Sequence, residues 1–199
     1  MKTEFIIRQS AILLPGETPD ISQVAANLRR RLSPLQKVFF ALAEQVKTIQ
    51  PRSVVFASPT GEIAWANRLI EDFTESEAVS PHRFSTSVFN AAPGLWSIQT
   101  ANTAPYTAVT AEDETISAGL LETLQGAWPA LFVFATEAEG GFGTALVLDR
   151  PAPDETKSLI RVTIQPRADE ASFEDWVSFL KGESNVWKGR FVTLERMTK

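Results

Sequence analysis

The chain has 199 residues, 44% of them hydrophobic, enough to bury a substantial core as one domain or as two small ones. A net charge of −5 excludes global recruitment to nucleic acid or to anionic lipid. The absence of cysteine excludes disulfides, thiolate metal sites and thiol catalysis, and a single histidine, His82, excludes a His-pair metal centre. No run of 18 apolar residues is present and Met1–Phe5 lacks a signal-peptide core, so the chain reads as soluble and cytoplasmic, without membrane insertion.

Phe5 to Leu13 is rich in β-branched residues and stops at Pro15-Gly16, which predicts a strand and a turn. Ser33-Pro34-Leu35-Gln36 predicts a helix start: serine caps, proline fits the first helical position, and Gln36 completes a capping box. Leu35, Val38, Phe39, Leu42, Val46 and Ile49 recur at helical spacing, with Pro51 as the stop. Val54–Ala57 has the length of a buried strand, and Ser58-Pro59-Thr60-Gly61 turns the chain. Ile63, Ala66, Leu69, Ile70 and Phe73 fall on one side of the next helix.

Asn90–Ile98 carries small residues and Gly94, as in a segment held close to another backbone. Tyr106–Thr110 reads as a strand, followed by a helix with the stripe Ile116, Leu120, Leu121 and Leu124. Leu131–Ala135 and Thr144–Leu148 are apolar strands separated by the Gly-rich residues 139–143, read as a hairpin or turn. Ser158–Ile164 alternates, as an edge strand would. Phe173, Trp176, Val177 and Leu180 mark a short amphipathic helix. Buried strands alternating with helices predict a layered α/β fold, its mixed sheet mostly buried between helices.

Three groups of residues identify a family. They are Leu28-Arg29-Arg30-Arg31-Leu32-Ser33, Val55–Glu62, and Ser80-Pro81 with Phe84–Ala92. In this order and spacing the chain resembles the N-terminal half of the β-ketoacyl synthases, of thiolase-like fold. It is most similar to their short chain-length-factor branch from bacterial aryl polyene and type II polyketide clusters. The resemblance implies a thiolase-like half-fold in a single domain over 1–199. Its core spans about 28–150, and 151–199 forms an extension that completes the sheet or wraps a partner.

In ketosynthases a cysteine nucleophile opens a buried helix, whose N-terminus lowers its pKa and points N–H groups at the oxyanion. Counting from Pro105, the resemblance places Asp113 there, or Glu112 with a one-residue slip. The catalytic histidine pair belongs to the second half of the family fold, beyond the span of the resemblance. No cofactor and no metal are implied.

The implied function is therefore non-catalytic. The chain would form a heterodimer with a full-length, cysteine-bearing β-ketoacyl synthase and shape its acyl tunnel in aryl polyene, polyketide or fatty-acid-like biosynthesis. The matching interface strand is Tyr106, Thr107, Ala108, Val109 and Thr110. The matching tunnel wall is Val88, Phe89, Ala92, Leu95 and Trp96, although apolar residues at such spacing equally suit an ordinary core. Arg29–Arg31 reads as a solvated cluster before a helix, or as a landing site for an acyl carrier protein. Glu112-Asp113-Glu114 reads as dipole-stabilised helix capping, or as a paired acid/base site.

His82 lacks the nucleophile elbow of a serine hydrolase and reads as a loop histidine. Trp128, Trp176 and Trp187 read as core or interface anchors. Two other functions stay open: a stand-alone scaffold that binds acyl carrier protein, and a thioester hydrolase or decarboxylase using Asp113 or Ser117.

Overall fold

The capping box forms as its residues require. In the computed structural model, which describes residues 2–153, 155, 159–166 and 171–197, the Ser33 hydroxyl accepts from the Gln36 N–H and the Gln36 side chain accepts from the Ser33 N–H. Helix α2 (Pro34–Gln45) follows the short α1 (Ala26–Arg29). It stops one turn earlier than its apolar spacing predicts: Val46 closes a tight last turn onto the Ala43 carbonyl, and Ile49 reaches the core from outside the helix.

Eight strands form one mixed sheet in the order β3-β2-β4-β5-β1-β6-β8-β7. These are β1 (Lys2–Leu13), β2 (Ser53–Ala57), β3 (Tyr106–Val109), β4 (Ala130–Thr136), β5 (Phe142–Asp149), β6 (Leu159–Ile164), β7 (Val186–Lys188) and β8 (Val192–Arg196). Strands β3, β2 and β4 run parallel to one another, and the other pairings are antiparallel. The remaining helices are α3 (Ile63–Ser76), α4 (Pro81–Ser85), α5 (Ala91–Thr100), α6 (Thr115–Gln125) and α7 (Phe173–Lys181). Together they make the layered α/β fold expected of a thiolase-like ketosynthase.

Both faces of β2 and β4 are buried, which is why their sequences are continuous apolar runs rather than alternating ones. On one face α2 and α5 close a core of Phe39, Phe40, Phe56, Trp96 and Val133. On the other, α6 and α7 close a core of Leu120, Phe132, Trp176, Phe179 and Trp187. At about 25 cal/mol per Å² of apolar surface, these two layers supply the main stabilising term. Trp176 and Trp187 are thus core residues, and Trp128 stacks half-buried on Phe5.

Two expectations need correction. The alternating segment near 159–164 is not an edge strand: β6 is paired on both sides, by β1 and by β8 (Ser158 lies outside the described residues). Its polar positions face a solvated side of the sheet rather than a free edge. The predicted strand 106–110 ends at Val109, because Thr110 turns away and its hydroxyl donates to the Pro59 carbonyl at 2.8 Å. Among the described residues no helix is long and apolar enough to cross a membrane.

Candidate functional site

The parallel strands β2, β3 and β4 release their loops at one end of the sheet, where open α/β folds collect ligand sites. A cleft of about 690 Å³ opens there. Pro59 and Thr60 reach it from β2, Glu112, Asp113 and Glu114 from β3, and Thr136 and Ala138 from β4. Phe134, Phe142 and Phe173 supply an aromatic floor, with ring centroids 4.6 Å apart for Phe142 and Phe173 and 5.8 Å for Phe134 and Phe173.

Glu112 and Asp113 lie in a short 3-10 turn that opens α6, both exposed. Glu112 takes the left-handed backbone, φ 47°, a conformation that costs a residue with a Cβ about 1–2 kcal/mol. The turn is fixed from behind: the Thr115 hydroxyl accepts from the Ala111 N–H at 3.0 Å and donates to the Glu112 carbonyl at 2.6 Å. Glu114 pairs with Arg190 at 2.5 Å, which ties the turn to the β7–β8 connection. Ser117 is fully buried, and its hydroxyl donates to the Glu114 carbonyl. Asp113 faces the cleft from a helix start, where a carboxylate is stabilised but remains a weak nucleophile towards a thioester.

The proposed interface strand β3 lies at one end of the sheet. Val54 and Ser58 donate to the carbonyls of Pro105 and Val109. By strand alternation the N–H and C=O of Tyr106 and Ala108 therefore point outward. No described strand pairs with that edge. The Tyr106 hydroxyl packs over Gly94 of α5, where an added Cβ would lie 3.2 Å from it.

The five tunnel-wall residues do not gather around one cavity. Ala92 and Trp96 are buried in the α2–α5 core, and Leu95 packs half-buried against it. Val88 is exposed. Phe89 lines a smaller groove of about 220 Å³ between the Ser58–Gly61 turn and α3. Its ring sits 5.7 Å from that of Phe56 and above Gly61, whose φ is 54°. A Cβ on residue 61 would stand 2.3 Å from the Phe89 ring, so glycine is required there twice over.

The same groove contains a residue that the sequence did not single out. Glu62 is only 4% exposed, and its Oε1 accepts from the Ser33 hydroxyl and from the Gln36 amide, each at 3.0 Å. Gln36 also donates to the Thr86 carbonyl, so α2, α3 and the 86–89 segment meet at this carboxyl group. Burial pushes its pKa up to about 7, against those two hydrogen bonds and with help from Glu137. In the sequence it appears only as the last residue of the Val55–Glu62 group, with nothing to mark it as buried.

The other readings fall out simply. Arg30 and Arg31 are exposed, and no ion pair involves Arg29–Arg31 among the described residues. Asp72 pairs with Arg83. Among the described residues no three His, Asp or Glu side chains stand close enough together to hold a metal ion.

Residues 8–138 match the family of the β-ketoacyl synthase N-terminal domain. No curated protein matches the chain. Among solved structures, the fold is similar to one chain of the complex between the ketosynthase ApeO and its chain length factor ApeC, from Xenorhabdus doucetiae. That superposition has a TM-score of 0.76 at 19% identity and covers 96% of this chain and 98% of the other.

Proposed function

From the premise that this chain belongs to the β-ketoacyl synthase N-terminal domain family, we propose that it is a non-catalytic, chain-length-factor-type subunit. It pairs with a cysteine-bearing synthase and limits the acyl chain that the synthase builds. The observation that carries this reading is strand β3, parallel to the core strand β2 on one side and open along its outer edge on the other. A bare edge of this kind is a template for another strand, and pairing is the ordinary way to satisfy it.

The resemblance puts Asp113, or Glu112 with a one-residue slip, where the family's nucleophile acts, in a sequence without cysteine. A carbon–carbon bond made through a cysteine thioester is therefore beyond this chain's own side chains. What it offers instead is bulk beside an open edge. Phe89 is held between Gly61 and Phe56, and in this reading its ring closes the far end of the partner's acyl tunnel. Each methylene kept out of an apolar tunnel forfeits about 0.8 kcal/mol of burial, so one aromatic ring can set a length limit. The solved relative, a ketosynthase bound to its chain length factor, supports this reading by analogy of fold.

Co-expression with a cysteine-bearing synthase, then mass measurement by size exclusion and product analysis, tests the proposal. A one-to-one complex whose products lengthen on Phe89→Ala is the expected result. A monomer that leaves synthase products unchanged sinks it.

A further inference from the structure

Helix α3 presents an apolar stripe that the fold does not cover. Ile63, Ile70 and Phe73 are 60%, 62% and 53% exposed, and Phe84 of α4 beside them is 67% exposed. Only Leu69 of the helix is buried. Between α3 and α4 lies a shallow, almost wholly apolar hollow of about 300 Å³, lined by Leu69, Ile70, Phe73, Val79 and Phe84. Large apolar side chains gathered on one face mark a contact surface rather than scattered surface residues.

The charges around this face select its occupant. Glu71, Glu75 and Glu77 are exposed on α3 and its C-terminal cap, and none has an ion-pair partner among the described residues. Asp72 and Arg83 neutralise each other. At the N-terminal end of the same stripe, Ile63 and Ala66 also line the groove that holds Glu62 and Phe89. Glu62 Oε2 has no hydrogen-bond partner among the described residues, although the side chain is almost completely buried. Glu62 lines the groove with this oxygen just out of solvent reach, so a donor that enters and presses the groove wall aside would complete it. An acidic carrier protein is disfavoured here by like charge, and so is a second copy of this acidic face.

Resting on the pairing proposed above, we infer that the synthase inserts a lysine or arginine into the 220 Å³ groove onto Glu62, while apolar neighbours of that cation cover Ile63, Ile70, Phe73 and Phe84. A long basic side chain suits both parts, since its stem packs on apolar surface and its head carries the charge. Binding then requires the ionised carboxylate. Its surroundings fix the pH range: α2 contributes the neutral Ser33 and Gln36, and the segment after α4 contributes the Thr86 carbonyl, through Gln36. The end of β4 contributes Glu137, which is itself opposed by Arg68 of α3.

The test is the affinity of the full chain for the synthase at pH 6 and pH 8, for the unchanged protein, Glu62→Gln and Phe73→Asp. A group titrating near pH 7 is about nine-tenths ionised at pH 8 and about one-tenth at pH 6, so affinity should rise about tenfold between them. Glu62→Gln should bind weakly and equally at both pH values. Phe73→Asp lies on the surface, so it should leave the fold intact, weaken binding more than tenfold, and keep the pH dependence. A complex unaffected by either substitution overturns this inference and leaves the pairing standing. Self-association lost in Phe73→Asp assigns the face to a second copy and overturns it too. Absence of any complex with the unchanged chain overturns both.

Discussion

Glu62 shows how far one residue departs from what its type suggests. An exposed glutamate titrates near 4.5, yet burial holds this one near 7. The folded state therefore binds the proton more tightly than the unfolded state. Stability from this group is fully present below pH 4.5 and is lost as pH rises towards 7. The loss amounts to about 1.4 kcal/mol per pH unit, roughly 3 kcal/mol across the window. Urea unfolding between pH 4.5 and pH 8 should show that slope in the unchanged chain and lose most of it in Glu62→Gln. Gly61 beside it has no such freedom. Gly61→Ala drives a Cβ into the Phe89 ring on a left-handed backbone, and thermal unfolding should report a loss of about 1–3 kcal/mol. An unshifted midpoint would show that Phe89 is free to move aside.

At the scale of elements, the free edge of β3 and the start of α6 carry the functional argument. Ala108 offers its N–H outward, so Ala108→Pro removes a donor from the open edge while leaving the bonds from Val54 and Ser58 in place. Unfolding midpoints should change little, and the complex with a synthase should be lost; a complex of undiminished affinity would place the interface elsewhere. Helix α2 and the strands β2 and β4 were legible because their signals are local. Ser33, Pro34 and Gln36 meet within one helical turn, and β2 and β4 are apolar runs of strand length. Strands β7 and β8 carry no such local signal. They are three and five residues long, and they exist because β6 offers a ladder to β8. The interior place of β6 was likewise settled by neighbours distant in sequence.

For the whole molecule, one sheet separates a cleft, an open edge and an uncovered apolar face. The cleft joins Asp113 to Phe134, Phe142 and Phe173, and the Glu114–Arg190 pair closes it across 76 positions of sequence. No local pattern announces such a pair. The uncovered face should bind an environment-sensitive apolar dye in the isolated chain, and a stoichiometric synthase should displace it. Dye fluorescence unchanged by the synthase would mean that another surface is covered.

By itself the sequence determined the absence of thiol chemistry, the α/β layering and the membership of the family, because each depends on residue type or short spacing. Only the tertiary structure decided that β3 ends the sheet, that Glu62 is buried with one oxygen unpartnered, and that the stripe of α3 faces outward. Helical spacing reports that apolar residues share a face, but burial depends on what packs against that face. Here the described fold places nothing over Ile70, Phe73 and Phe84, which is why the surface reads as a contact for another chain.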